Sequence, residues 1–339
     1  MKCAGCRLPI EQGGYVNAGN LPFHERCLVC CQCGQVLTRF AIERGRFYCH
    51  ECHVAAFAPR CKVCALPIEG TYYEHDGGKA HAECYRKHVA GKCDVCGGPL
   101  VGKILSDGWG FRYHEAHAAQ FPACDACGRL TSPEIGGGGH RLGDGRHLCG
   151  HCRPSAVRNA EEARERFAEV RAFLAQRGLV VPGAALPLHL VSRPDLMKTL
   201  ARSGHPPRKA VHGVTLMEAR IQGSRVVSRE ASIHVLTYLP AALFDGTAAH
   251  ELGHAWTFLT GCPQHVYALS EGFCNYLRYL VHTAEGGDEN AFYVKHMLDD
   301  PDPAYGHGFR IVRKIAERKG FPALLDHMRR KTDFPLFGW

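Results

Sequence analysis

The sequence lacks any long uninterrupted hydrophobic run. Its longest apolar stretch, LVVPGAALPLHLV, is interrupted by proline and glycine, and it is shorter than the ~20 apolar residues that a membrane-spanning helix needs. The amino terminus, MKCAGCRLPI, contains no apolar segment of the kind that secretory signals carry. From these absences we expect a cytoplasmic protein with no membrane partner.

The sequence also lacks a basic stripe of the kind that binds nucleic acid. The formal charge of the 339 residues is +8. That charge falls to roughly +2 if sixteen cysteine thiolates bind five zinc ions, because zinc ligation deprotonates thiols. Residues 61–152 mix Arg and Lys with Asp and Glu and show no basic face studded with aromatic residues. The sequence therefore argues against a nucleic-acid partner.

Cysteine, in contrast, is abundant, with 19 residues. In a reducing compartment, pairs spaced Cys-x-x-Cys indicate metal sites rather than disulfides. The regular spacing ends at Cys152, and only Cys262 and Cys274 follow it. This change in composition marks the strongest domain boundary in the sequence.

The first 52 residues contain two sets of ligands with zinc spacing. Each set consists of two Cys-x-x-Cys or His-x-x-Cys pairs that are separated by 15 or 17 residues. Structural zinc takes four nitrogen or sulfur ligands and leaves no open position, which fits both sets. We predict two zinc sites, with ligands Cys3, Cys6, His24 and Cys27 in one and Cys30, Cys33, Cys49 and Cys52 in the other.

The strings HERCLVCCQC and FYCHEC resemble a LIM domain, in which two zinc ribbons share a hydrophobic seam. The resemblance covers residues 3–52, and Cys31 is extra to its ligand pattern. LIM domains are protein-docking modules, so the resemblance implies protein partners.

Three further sets follow with similar internal spacing but longer gaps between them. The gaps are residues 85–92 and 118–123, whereas a LIM domain keeps two residues between its halves, so we describe the region as LIM-like. Neighbouring pairs can also be exchanged between sets, and His147 or His151 can compete for the last zinc. The predicted structural ligands are Cys61, Cys64, His81 and Cys84, then Cys93, Cys96, His114 and His117, then Cys124, Cys127, Cys149 and Cys152.

Residues 155–177 have apolar groups at helical spacing, with Ser155 as a candidate N-cap and Gly178 as a candidate end. We predict a helix that either couples the zinc modules to the second half or forms the first packed helix of that half.

The string AAHELGHAW at 248–256 places His250 and His254 four residues apart, with Glu251 between them. On a helix this spacing turns both imidazoles to one face, where they can share a metal ion. We predict a helix over Thr247–Leu259, capped by Thr247 or Asp245 and ended by Gly261 and Pro263.

Catalytic zinc uses three protein ligands and keeps a fourth position for water. The string ALSEGFCNYLRYL places Glu271 at the start of a second predicted helix, which is the arrangement of gluzincins. Asn275, one turn later, is a candidate to orient a ligand. Before the first helix, Ser232–Leu239 reads as a β-strand, either an edge strand that pairs with substrate backbone or a purely structural strand.

HELGHAW, SEGFC and DPAYGHGFR, together with the LIM pattern, resemble the LIM-domain peptidases, a family of plant ubiquitin-activated DA-related proteins and their bacterial relatives. The resemblance covers nearly the whole chain. It implies a gluzincin-like peptidase domain with His250, His254 and Glu271 on zinc and Glu251 as catalytic base. Ubiquitin recognition is not carried over, because the plant proteins have ubiquitin-interacting helices ahead of the LIM region and this chain begins in it.

Hydrolysis also needs a donor for the oxyanion besides the metal. Tyr305 and His307 in AYGHGFR are the candidates, with Tyr305 preferred, and either can instead be a plain turn residue. Cys274 reads as a small buried apolar residue rather than a nucleophile.

The predicted fold is multidomain, with small β-rich zinc-ribbon or LIM modules followed by an α+β gluzincin-like metallopeptidase domain. The predicted domains are a LIM domain at 1–54, LIM-like ribbons at 59–153, a helical linker at 154–182 and the HExxH domain at 183–339. The predicted function is zinc-dependent endopeptidase activity on protein substrates, with one catalytic and about five structural zinc ions. The alternative is a LIM-type interaction scaffold with a latent or inactive peptidase-like domain.

Overall fold

The computed structural model describes residues 1–11, 14–182, 186–202 and 211–335. The chain divides into two units, Met1–Ile104 and Leu105–Trp339. The division falls inside the region that the sequence predicts as tandem ribbons, so the last ribbon belongs to the second unit. The boundary predicted at residue 183 lies outside the described residues.

The first unit is built from short antiparallel hairpins, each followed by a turn or helix that carries metal-binding side chains. A small core lies between the first two hairpins and buries Phe23, Leu28, Leu37 and Tyr48. The strands are β1 (Tyr15–Ala18), β2 (Leu21–His24), β3 (Ala41–Glu43), β4 (Arg46–Tyr48), β5 (Tyr72–His75) and β6 (Gly78–His81), and the helices are α1 (His50–Phe57) and α2 (Ala82–His88).

The second unit begins with ribbon elements of the same kind. They are β7 (Ile104–Ser106), which starts at the boundary, β8 (Arg112–His114), α3 (Glu115–Gln120), α4 (Pro133–Gly136), β9 (Gly139–Arg141) and β10 (His147–Cys149). The remaining elements are α5 (Ala160–Ala175), β11 (Leu188–Val191), α6 (Arg193–Arg202), β12 (Gly213–Gln222), β13 (Arg225–Leu236), α7 (Ala241–Leu259), α8 (Tyr267–Glu285), α9 (Gly287–Asp299), the π-helical segment Pro303–Gly308, α10 (Phe309–Lys319) and α11 (Phe321–Arg330). Among the described residues, no helix combines the length and hydropathy that crossing a membrane requires.

The last ribbon is packed onto the helical part of the second unit. The indole of Trp109 stacks on Phe292 of α9 with ring centroids 4.1 Å apart, and its Nε1 donates to the carbonyl of Cys127 at 2.8 Å. On the other side of the ribbon, buried Arg146 donates to the carbonyl of Thr237 at 2.7 Å. These contacts make the ribbon part of the same folded body as α7 and α8.

The β-sheet of the second unit has three strands in the order β11-β13-β12. The central strand is β13, which pairs in parallel with β11 through Leu188–Val191 and antiparallel with β12. Of the two alternatives for Ser232–Leu239, the edge strand is therefore wrong and the structural strand is confirmed as far as Leu236, because Ile233, His234 and Val235 pair with strands on both sides. The strand at the edge of this sheet beside α7 is β12.

The main core lies between α7 and α8 and is closed by α5, α10 and the sheet. Trp256, Phe244, Phe273 and Phe309 are its largest fully buried side chains. Cys274 is also fully buried in this core, as the sequence predicts. Since α7 is apolar over most of its circumference, it can only be stable as a central helix.

Two predicted helix starts are wrong, each for a local reason. Helix α5 is capped by Asn159 and not by Ser155, because the residues before Asn159 are extended and pair with the segment that leads into α7. The second, α7, begins at Ala241 after Pro240, so Thr247 and Asp245 are interior residues. Asp245 is buried and forms an ion pair with Arg166 of α5 instead of capping the helix.

Close packing of α7 on α8 explains a glycine inside the HELGH string. A Cβ added at Gly253 would lie 2.8 Å from Sγ of Cys274 and 3.0 Å from Cδ1 of Leu277. Since real Cβ atoms do not approach so closely, only glycine lets the two helices meet at this point.

We expect Gly253→Ala to destabilise the second unit by about 1–3 kcal/mol through overpacking, although alanine is intrinsically the better helix former. Urea unfolding followed by tryptophan fluorescence measures this, since Trp256 is fully buried on the same helix. The matched control is Gly143→Ala, where an added Cβ meets nothing within 4 Å. Equal stability of the two variants would contradict the packing argument.

Candidate metal centre

Three of the predicted zinc quartets lie wholly within the first unit. In each, one ligand atom from every residue lies within 4.8 Å of the others. Each set pairs a turn before a hairpin with the residues that follow the hairpin. The sets are Cys3, Cys6, His24 and Cys27, then Cys30, Cys33, Cys49 and Cys52, then Cys61, Cys64, His81 and Cys84.

Backbone hydrogen bonds favour the thiolate, which is the form that binds zinc, at the first cysteine of each quartet, namely Cys3, Cys30 and Cys61. Burial raises the pKa of Cys3, but hydrogen bonds from the backbone N–H groups of Cys6 and His24 bring it down to about 6. The N–H of His24 lies 3.3 Å from the Cys3 sulfur. Donors of this kind orient a ligand and stabilise its charge, so the donor chemistry fits a structural zinc ion.

In the second unit, the sulfur atoms of Cys124, Cys127, Cys149 and Cys152 form a quartet of four buried cysteines. His147 and His151, the proposed competitors, are not among its members. The remaining predicted set is divided between the units, because Cys93 and Cys96 belong to the first, whereas His114 and His117 belong to the second. Its assembly into one site remains a prediction.

A different cluster is formed where α7 and α8 meet. His250 and His254 lie one turn apart on α7, with their Nε2 atoms 3.3 Å from each other. Oε2 of Glu271 on α8 lies 3.3 Å from Nε2 of His250 and 3.7 Å from Nε2 of His254. Tetrahedral ligands of a zinc ion are roughly 3.3 Å apart when the bonds are about 2.0–2.1 Å, so the three atoms have the spacing of zinc ligands.

The environment of Glu271 calls for a cation. Its side chain is buried, and Oε2 has no hydrogen-bond partner among the described residues. Burial raises the pKa of this carboxyl, yet the nearby imidazoles of His250 and His254 hold it well below its usual range. A buried, ionised and unpaired carboxylate oxygen is destabilising unless a positive charge faces it, so the site fits a divalent metal ion with three protein ligands.

Asn275, one turn after Glu271, fixes the orientation of the first histidine. Its Oδ1 lies 3.0 Å from Nδ1 of His250. Because the amide oxygen only accepts, Nδ1 must carry the proton, and Nε2 keeps its lone pair for a metal. The Asn275 amide donates from Nδ2 to the carbonyl of Tyr305 at 2.8 Å, which ties the segment after α9 to the same site.

Glu251 is held by the edge strand of the sheet. Its carboxylate is buried, and Oγ1 of Thr215 on β12 lies 2.8 Å from Oε2 and 2.9 Å from the Glu251 carbonyl oxygen. Gly213, on the same strand, makes room for Glu251, since a Cβ there would lie 2.9 Å from its Cγ. The strand therefore fixes the position of the carboxylate next to the metal cluster.

Of the two predicted oxyanion donors, the structure brings only Tyr305 to the cluster. Its ring is nearly parallel to that of His250 with centroids 6.2 Å apart, and its hydroxyl lies 3.0 Å from that of Tyr267. Asp302 caps the π-helical segment by accepting from the N–H groups of Ala304 and Tyr305 at 2.8 and 2.9 Å. His307 is exposed and does not line the cavities described below.

Three adjoining cavities form a cleft across the cluster. The central one, of about 290 Å³, is lined by His250, Glu251, His254, Glu271 and both tyrosine side chains. A second cavity of about 290 Å³ shares His250 and Glu251 but not His254 or Glu271. A third, of about 740 Å³, shares His254 and Glu271 but not Glu251. The cleft thus extends past the metal ligands on the Glu251 side and on the His254 side.

Comparison with known proteins assigns the first part of the chain. The LIM domain family matches residues 3–57. These residues form a LIM domain. The match contains both of the first two quartets, and the buried seam of Phe23, Leu28 and Tyr48 lies between the two zinc ribbons of the LIM domain.

Similarity outside the LIM domain is distant but extends along the chain. Protein DA1-related 2 of Arabidopsis thaliana is 25% identical over 98% of this chain and 70% of its own length. Protein DA1 of the same plant is 24% identical, over 98% and 68%. LIM domain-containing protein HDR3 of Oryza sativa subsp. japonica is 22% identical, over 98% and 74%. The chain is a homologue of these DA1-related LIM-domain proteins.

Sequence reasoning missed several residues around the cluster. Thr215 and Tyr267 lie outside any motif, and the distance from Thr215 to Glu251 along the chain gives no signal that they touch. Asp302 had a usable signal, because Asp followed by Pro303 is a common start of a helical turn.

We expect the purified full-length protein to contain about six zinc ions and the His250→Ala/His254→Ala variant one fewer, because two of three ligands of a single ion are lost. Elemental analysis after dialysis measures this. The matched control is His189→Ala/His234→Ala, which removes another close pair of imidazoles, 4.8 Å apart between centroids, that lies outside the cluster. An unchanged zinc content in the first variant would rule out a metal at this site.

Proposed function

We propose that the protein is a zinc-dependent endopeptidase of the gluzincin type, which hydrolyses peptide bonds of protein substrates. The observation that carries the proposal is the convergence of His250, His254 and Glu271 in an open cleft, with the carboxylate of Glu251 beside them. Gluzincins take two ligands from an HExxH helix and a glutamate from a second helix, and α7 and α8 supply this set.

The chemistry follows from the types of residue present. Zinc, when bound, lowers the pKa of a bound water and polarises a carbonyl oxygen. Glu251 accepts the proton of the attacking water and later passes it to the leaving amine as the carbon–nitrogen bond breaks. Thr215 keeps the carboxylate in place through the short contact to Oε2.

Tyr305 is the proposed donor to the oxyanion that forms from the substrate carbonyl. Tyr305 lines the same cavity as Glu251 and the proposed metal ligands. The cap by Asp302 and the hydrogen bond from Asn275 hold its backbone, which limits the reorganisation needed during reaction.

Substrate backbone is proposed to pair with β12. This strand is at the sheet edge, and Gly213, Thr215 and Met217 line the central cavity. An extended peptide added antiparallel or parallel to such an edge gains backbone hydrogen bonds regardless of its sequence. Pairing with substrate backbone, which the sequence suggested for Ser232–Leu239, is thus proposed for the neighbouring strand β12 instead.

The LIM domain is proposed to dock protein partners or substrates for the peptidase unit. The alternative function is an interaction scaffold with a silent second unit, and the LIM domain by itself favours both equally. What favours the enzyme is that the three ligands and Glu251 are all present and brought together. A scaffold has no need for a buried, unpaired carboxylate in an open cleft.

We expect Glu251→Gln to lower the rate of cleavage of an unfolded protein substrate by at least ~10² while the zinc content stays unchanged, because only the base is lost. The assay uses the full chain, since the last ribbon is packed into the second unit. The matched control is Glu230→Gln, which replaces an exposed carboxylate on β13 by an amide and should behave as wild type. Cleavage by neither wild type nor control, at full zinc content, would favour the scaffold.

We expect Tyr305→Phe to lower kcat by roughly 10- to 10³-fold with KM nearly unchanged, because a donor to the oxyanion acts in the transition state rather than in substrate binding. Steady-state kinetics on a single peptide separates the two constants. Tyr72→Phe, an exposed residue of the first unit, controls for loss of a phenol. A rise in KM alone would assign Tyr305 to substrate binding instead.

A further inference from the structure

The cavity on the Glu251 side of the cleft contains a cation that the proposed reaction does not use. Its lining includes His212, Glu251, Asp300 and Arg278. Among the described residues that line it, Arg278 is the only lysine or arginine. Arg278 is partly buried on α8, and burial lowers its pKa.

The guanidinium of Arg278 is held in place without being neutralised. Among the described residues, no carboxylate lies within 4.0 Å of it. Its Nε donates to Nε2 of His282 at 3.2 Å. Nδ1 of His282 lies 2.6 Å from Oδ1 of Asn290, so that nitrogen carries the proton and Nε2 is free to accept. Burial and the charge of Arg278 lower the pKa of His282 to about 3, which keeps the imidazole neutral.

The helix face explains why Arg278 lies next to the metal cluster. Glu271, Asn275, Arg278 and His282 are spaced by four, three and four residues on α8, so they share the face that packs on α7. Opposite them on α7 is Gly246, where a Cβ would lie 2.4 Å from Nε2 of His282 and 3.1 Å from Cγ of Arg278. The absence of a side chain there gives the arginine its place in the cavity.

The position of this cavity on the Glu251 side of the cleft indicates which part of the substrate it would bind. In the proposed reaction Glu251 passes its proton to the leaving amine, so the amine and the residue that bears it lie on the Glu251 side. The cavity with Arg278 adjoins that side and does not reach His254 or Glu271. The other basic side chain there, His212, has its pKa lowered to about 3 by burial and by nearby arginines, so it brings no second positive charge.

We propose that Arg278 forms a carboxylate-binding subsite for the residue that follows the scissile bond. The carboxylate is either the side chain of Asp or Glu at that position or the terminal carboxylate of the substrate. A partly buried guanidinium with no ion-pair partner among the described residues gains most from such a ligand, because a charge-assisted pair replaces the water lost on burial. Glu251 and Asp300 on the cavity wall repel a bound carboxylate, so the attraction of Arg278 must exceed this repulsion. The inference rests on the proposed peptidase function.

The test uses probes whose binding does not need cleavage. Two peptidyl hydroxamates are compared that differ only in carrying a carboxylate or a carboxamide on the substituent that follows the metal-binding group. We expect the zinc-loaded full-length protein to bind the carboxylate roughly 10-fold or more tightly than the carboxamide in calorimetric titrations. Arg278→Gln should abolish this preference, Arg278→Lys should keep most of it, and Arg278→Glu should reverse it.

A second arm distinguishes the two sources of the carboxylate. Peptides with an internal Glu and either a free or an amidated carboxyl terminus compete with the bound hydroxamate. Recognition of a side chain is unaffected by amidation, whereas recognition of a terminus is lost.

The outcomes distinguish failure of the carboxylate subsite from failure of the proposed metal centre. If both hydroxamates bind equally well to wild type and to Arg278→Gln, the subsite is wrong while the metal centre stands. If neither binds, the metal centre is wrong and the subsite with it. A reversed preference in Arg278→Glu cannot come from loss of folding, and zinc content confirms that each variant is intact.

Discussion

The buried carboxylate of Glu271 is the constraint on which the second unit depends. An ionised oxygen without a hydrogen-bond donor is stable inside a protein only if positive charge faces it. The face of α7 that carries His250 and His254 packs against α8 at this point. Glycine makes two close approaches to α8 possible, since a Cβ at Gly253 of α7 would lie 2.8 Å from Sγ of Cys274 and one at Gly272 would lie 2.5 Å from the backbone of Gly308 in the π-helical segment.

A single face of α8 then supplies successive groups to the cleft. Glu271 faces the metal cluster, Asn275 orients His250 and holds the backbone of Tyr305, and Arg278 reaches the cavity beside Glu251. The sheet contributes from the opposite wall, where Thr215 on β12 contacts the carboxylate of Glu251. Glu251 is therefore fixed by a strand and the candidate metal ligands by two helices, and rigid elements of this kind hold a site better than loops do.

The Cys and His quartets lie where the individual modules are too small to build a large hydrophobic core. In the LIM domain, four apolar side chains between two quartets form most of the buried seam. The last ribbon is different, because Trp109, Tyr293 and Phe292 connect it to α9, and Arg146 connects it to the segment before α7. A repeated motif in the sequence thus serves as an independent module in one place and as a wall of the second unit in another.

The candidate metal ligands could be predicted from the sequence alone, because metal coordination imposes short, fixed spacings: Cys-x-x-Cys in the ribbons and HELGH on a helix. It also predicted that Glu271 lies on a second helix and that Cys274 is buried, although this helix begins at Tyr267 and not at Glu271. It did not determine that α7 starts at Ala241, that β13 is central or that β12 is the edge strand, since strand order depends on pairing between distant segments. Thr215 and Arg278 became visible only in the tertiary structure, because their roles come from contacts across elements and leave no local pattern in the chain.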